Sequence, residues 1–202
     1  MTRIRFLLGL LAACLPPLPL HTEPADLPPL LAQLHDGGYI VLMRHASAPG
    51  ADMVDDIDLD DCSRQRELSD RGREEAQRLG LLFREHGLGE TPVHTSRYCR
   101  CWQTAEALGL GPVTRQPALD SFFYAREQRE QRLADMRELI AALADGPSVI
   151  LVTHRLNIVG LTDTALNPAD MLIIRPRDAE PPEIVGRISA AVGTRAFRPS
   201  SP

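Results

Sequence analysis

The chain has 202 residues, 44% hydrophobic and 24% charged, with Lys+Arg 22 against Asp+Glu 27 and a net charge of −5. That is room for one main domain of ordinary globular composition. Every basic residue is Arg, so Schiff-base and P-loop lysine chemistry are excluded, and the acidic balance argues against nucleic acid as a partner held by bulk charge.

Residues 1–20 read as a signal peptide. Arg3 and Arg5 precede the apolar run Phe6 to Ala13, which Pro16-Pro17 ends. The run is too short to span a bilayer and fits a secretory core, so export to the periplasm is expected. Leu11-Ala12-Ala13-Cys14 has the form of a lipobox, with Cys14 as the lipidated residue and membrane anchor. The alternative is a cysteine within an ordinary signal peptide. Loss of residues 1–13 removes Arg3 and Arg5 and takes the net charge from −5 to −7.

Residues 21–36 are a Pro-rich linker with a short helix from Leu27 to Leu34, stopped at Gly37-Gly38. The main domain is expected over 37–193, followed by a loose tail over 194–202. Tyr39–Met43 is an unbroken apolar strand, the pattern of a strand covered on both faces. Ser69 caps a helix running to His86, with Ala76, Leu79, Leu82 and Phe83 on its apolar face. Thr91–Thr95 is a short strand and Arg100–Leu108 a helix ended by Gly109. Arg126–Leu143 is a charged amphipathic helix, Ser148–Thr153 a second apolar strand, and Ile158–Leu166 a helix. Met171–Ile174 and Glu183–Ile188 are the last strand candidates. Alternating strands and helices predict an α/β three-layer sandwich, a largely parallel central sheet flanked by helices.

In an oxidising compartment Cys62, Cys99 and Cys101 allow at most one internal disulfide. Cys62 with Cys99 is preferred, since a bridge from Cys99 to Cys101 would close a tiny strained ring. Three buried thiols are the alternative.

Both buried strands end in the same residue types: Arg44-His45 after the first, His154-Arg155 after the second. Ligands of open α/β sheets bind beyond the strand carboxyl ends, so two histidines 109 residues apart meet at one rim. Ser96-Arg97-Tyr98-Cys99-Arg100 sits where a strand turns into a helix, and amides there favour an anion. Guanidinium forks match phosphate oxygens and keep their charge. Arg44, Arg100 and the two histidines therefore point to a phosphoryl group.

These blocks resemble the histidine phosphatase superfamily, also called phosphoglycerate-mutase-like. The family's Arg-His-Gly is similar to Arg44-His45-Ala46, and its Ser-x-x-x-Arg-Ala-x-x-Thr-Ala to Ser96 through Ala105, with Cys101 at the first Ala. Its Leu-Ser/Thr-x-x-Gly-x-x-x-Ala stretch resembles Leu68 to Ala76, and its strand ending in His resembles Val152-Thr153-His154. The blocks run in family order over about 39 to 165. Asn157-Ile158 and the pairing of Cys62 with Cys99 resemble an exported bacterial subgroup.

The resemblance implies His45 as nucleophile, forming a phosphohistidine that water hydrolyses, with Arg44, Arg100 and His154 binding the phosphate. It implies no metal and no cofactor. The partner is a small phosphorylated substrate, a phosphomonoester or a phosphoramidate. Where many members carry a proton-donating Glu, this chain has Ser121, with Asp120 one place early. Asp120 is the candidate general acid, although neighbouring strand positions point to opposite faces. A catalytically silent phosphate-binding or envelope protein of the same fold is the rival expectation. The acidic run Asp52 to Asp61 is expected to be a solvated loop at the site mouth, because Asp61 stands where a calcium loop needs Gly. Arg126, Arg129 and Arg132 with Glu127 and Glu130 are expected to form an exposed, salt-bridged face.

Overall fold

The computed structural model describes residues 27–52, 57–176 and 181–191. The expected signal peptide, the lipobox at Cys14 and the tail over 194–202 lie outside the described residues. Among the described residues, no helix is long and apolar enough to cross a membrane.

The elements run α1 (Leu27–Gln33), β1 (Ile40–Arg44), α2 (Asp70–Glu85), β2 (Val93–Thr95), α3 (Cys99–Leu108), β3 (Val113–Arg115), α4 (Arg129–Leu143), β4 (Val149–Thr153), α5 (Arg155–Thr162), β5 (Met171–Arg175) and β6 (Glu183–Ile188). One six-stranded sheet has the order β3-β2-β4-β1-β5-β6. β3, β2, β4 and β1 are mutually parallel, whereas β5 runs antiparallel to β1 and β6 antiparallel to β5.

Strand alternation builds the three layers. Val41, Met43, Ile150 and Val152 face the cluster completed by α1, α2 and α3. Ile40, Leu42, Val149 and Leu151 face the opposite cluster, which Met136 and Ile140 of α4 and Ile158 and Leu161 of α5 complete. Both faces of β1 and β4 are therefore buried, which is why their sequences are continuous apolar runs.

Three local readings change. The last helix starts at Arg155 and ends at Thr162, where Asp163 takes the left-handed conformation (φ 54°) and stops it short of Leu166. The helix expected from Arg126 opens as a 3-10 turn over Arg126–Gln128 before α4 begins. β3 carries no apolar signature because all three of its residues are exposed at the sheet edge.

Candidate active site

The register of β1 against β4 pairs Arg44 with Thr153. The next residue on each strand is a histidine, and the His45 amide donates to the Thr153 carbonyl at 3.0 Å. The two imidazole rings lie 5.6 Å apart, centroid to centroid, at 64°. Both are buried at the base of a cavity of about 360 Å³.

The segment after His45 is held by α2. Ser69 caps that helix by accepting from the Gly72 amide, and its own amide and hydroxyl donate to the Ser47 carbonyl. Ser47 in turn donates through its amide and hydroxyl to Glu75. Gly72 must be glycine for this approach, since a Cβ there would stand 2.2 Å from the Ser47 carbonyl oxygen. From the other side, the Ala46 amide donates to Thr104 of α3. The Leu68-to-Ala76 and Ser96-to-Ala105 blocks thus fix the backbone that carries His45.

The Ala46 carbonyl sets the tautomer of His45. Its Nδ1 lies 2.8 Å from the Ala46 carbonyl, which can only accept, so Nδ1 carries the hydrogen. Nε2 keeps its lone pair. Burial, followed by the Arg100 charge, pulls the His45 pKa down to about 3, so the ring is neutral at neutral pH. His154 is held well below its ordinary value by burial, then by Arg100 and His45.

Arg44 and Arg100 flank the histidines. Arg44 Nη1 donates to the Leu166 carbonyl at 2.9 Å. Arg100, buried near the start of α3, sits with Cζ 4.7 Å from the centre of the Tyr98 ring. Arg66 and Arg155 add two further guanidinium groups to the cavity wall. Four arginines therefore face one carboxylate among the described wall residues, Asp52. An anion is the ligand that such a wall stabilises.

Asp52 departs from the expectation of a solvated acidic loop. It is buried and ion-paired with Arg100 at 3.0 Å. It also accepts from the Arg66 amide at 2.9 Å and from the Tyr124 hydroxyl at 3.0 Å. One carboxylate thus joins the loop after β1, α3 and the segment before α4.

The structure brings His45, Arg44, Arg100 and His154 together on the cavity but places Asp120 behind it. Asp120 accepts from the Ser96 hydroxyl at 3.0 Å and from the Arg97 amide and Nε, each at 2.8 Å. Its neighbour Ser121 lines the cavity instead. The alternation of neighbouring side chains separates the two, and the Asp120 carboxylate is engaged by Ser96 and Arg97 rather than by the cavity. Arg97 is accordingly an ion-pair partner, with its side chain 41% exposed.

A Cys62–Cys99 disulfide ties the loop before α2 to the start of α3, and Cys101 is free and buried. Burial pushes the Cys101 thiol up to about 12, so it is inert as a nucleophile at neutral pH.

Residues 40–126 match the family model of the Histidine phosphatase superfamily (branch 1). No curated protein matches the chain. Among solved structures, the protein histidine phosphatase SixA complexed with tungstate is similar with a TM-score of 0.53 at 16% identity, over 76% of this chain and 97% of that one. The product of an open reading frame of Mycobacterium tuberculosis is similar with a TM-score of 0.53 at 19% identity, over 73% and 95%. A phosphoserine phosphatase mutant from Entamoeba histolytica, in complex with phosphoserine, has a TM-score of 0.51 at 11% identity, over 76% and 98%. At those identities the three likenesses establish the fold.

Proposed function

The chain belongs to the histidine phosphatase superfamily, and from that premise we propose that it hydrolyses a small phosphomonoester or phosphoramidate through a phosphohistidine on His45. The observation that carries this reading is the neutral His45, with the Nε2 lone pair left free by the Ala46 carbonyl, among arginines at the cavity base.

In the first step the Nε2 lone pair attacks phosphorus. The bond from phosphorus to the leaving oxygen or nitrogen breaks, and that atom takes the electron pair. The phosphorylated ring keeps its Nδ1 hydrogen on the Ala46 carbonyl, which supports the positive charge of the imidazolium. Water then attacks phosphorus, and Nε2 regains its lone pair. Arg44 and Arg100 supply the fixed charge that the transition state needs, so no metal or cofactor is called for.

Asp52 is tied to Arg66, Arg100 and Tyr124, and Asp120 to Ser96 and Arg97, so neither carboxylate supplies a proton. That favours leaving groups of low proton demand, such as a phosphoramidate nitrogen or a nitrophenol. The Cys62–Cys99 disulfide supports the accompanying reading that residues 1–20 export the domain to the periplasm, with Cys14 as a lipid anchor.

The test is phosphate release from 4-nitrophenyl phosphate and from a phosphoramidate, with chelator present. Turnover by wild type, lowered about 10³-fold or more in His45→Ala, is the expected result. A folded wild-type protein that binds phosphate and turns over neither compound would instead be a silent phosphate binder.

A further inference from the structure

Asp120 is a buried carboxylate that the chemistry above does not use, and one hydroxyl separates it from the second histidine. Ser96 Oγ donates to Asp120 Oδ1 at 3.0 Å and stands 2.9 Å from His154 Nε2. A hydroxyl has one hydrogen, and the Arg97-paired carboxylate can only accept it. The Ser96 oxygen must therefore accept from His154, which places the histidine's hydrogen on Nε2. The remaining lone pair is on Nδ1, where Arg100 Nη2 donates at 3.4 Å. That lone pair cannot bond a phosphoryl oxygen until Nδ1 gains a proton.

The groups facing His154 explain when it does. Arg100 and His45 lie on its cavity side, with Arg44 and Arg66 beyond them. Tyr98 stands edge-on at 5.0 Å, and the Cys101 sulfur is 3.5 Å from Nε2. Burial and these cations keep the ring neutral in the free protein. A phosphoryl dianion in the cavity reverses the local field, while Asp120 balances the imidazolium from behind.

We propose that His154 takes up a proton on Nδ1 as the substrate binds and delivers it to the leaving atom, with Asp120 acting through Ser96 as the positioning residue. The proposal rests on the phosphatase reading. As His45 Nε2 bonds to phosphorus, the departing oxygen or nitrogen takes its electron pair and the Nδ1 proton, leaving His154 neutral. In the second step the attacking water gives a proton to Nδ1, His45 is released, and phosphate departs. The proton that no carboxylate supplies thus comes from an imidazole.

The experiment compares kcat/KM for 4-nitrophenyl phosphate, whose leaving group needs little protonation, with phenyl phosphate, whose leaving group needs more. In Asp120→Asn and in Ser96→Ala, the preference for the nitrophenyl compound widens about tenfold or more over wild type. In Arg97→Ala, which leaves the Ser96 bond in place, it does not widen. Equal losses on both substrates would mark Asp120 as merely structural and overturn the proposal. A second arm uses tungstate, titrated calorimetrically at pH 7.5 in two buffers of different ionisation enthalpy. Wild type takes up close to one proton per tungstate, and Asp120→Asn takes up less. Binding without proton uptake overturns the proposal even in a protein that turns over neither ester, so its failure is distinguishable from that of the phosphatase reading.

Discussion

The base of the cavity is made by strand ends. His45 follows β1, His154 follows β4, and their neighbouring backbones are joined by sheet hydrogen bonds. The wall is made by loops and a helix start: Asp52 comes from the segment after β1, Arg66 from the one before α2, and Tyr124 from the one before α4. The base is fixed by apolar packing on both faces of the sheet, whereas the wall is fixed by one buried carboxylate and one disulfide. Packing spreads the fixing over many weak contacts, so no single substitution removes it. Paired charge and a covalent link concentrate it in a few groups, and each becomes a point where the wall can fail alone.

The strongest way to break the wall is Asp52→Ala. It leaves Arg100 buried and unpaired and removes the acceptor for Tyr124. Unfolding by urea should show a loss of about 3–5 kcal/mol, the range for breaking a buried pair from one side. A loss within a few tenths of a kcal/mol would mean that Asp52 does not hold the wall.

The disulfide offers a milder separation of the two regions. It closes a loop with a sequence separation of 37. Replacing Cys62 and Cys99 together by Ser should cost about 2–4 kcal/mol in unfolding free energy. Hydrogen exchange should rise first over residues 57–68 and change least in β1 and β4. Uniform acceleration through the sheet would show that base and wall open as one unit.

Acid probes the base. A neutral histidine whose folded pKa is depressed makes the unfolded chain bind more protons, so stability is complete above the ordinary pKa and falls as pH drops toward the folded value. For His45 that window runs from 6.5 down to about 3. Unfolding free energy should fall by about 2 kcal/mol from pH 7.5 to pH 5 through this group, and His154 adds a slope of the same sign. His45→Gln should flatten the curve. An unchanged slope would place the acid sensitivity elsewhere, in the wall.

The same contrast explains what the sequence made readable. An apolar run ending in Arg-His has an address, since a strand covered on both faces can lie only inside the sheet and its end only at the rim. His45 and His154 follow from that logic, Ser69 from helix capping and Ala76 from helix periodicity, whereas Gly72 stands only in the stretch that resembles the family's. Asp52 was hidden within an acidic run whose composition suggests water. The readable clue was Arg100: an arginine expected in a buried helix turn requires a carboxylate partner, and acids in the loop after β1 were available. Tyr124 carries no such signal, because loop geometry decides where it points. β3 is silent in the sequence, since three exposed residues on an edge leave no hydrophobic pattern.

The pairing of β1 with β4 has a consequence in time. The chain makes His45 early and must synthesise more than a hundred further residues before the strand that precedes His154 exists. Until β4 is made, β1 and β2 lack the strand that joins them in the sheet, and His45 lacks its partner at the neighbouring strand end. Chemistry arrives only with the long-range strand pair, the slowest kind of contact for a polypeptide to close. Before that pair closes, the two histidines share no rim.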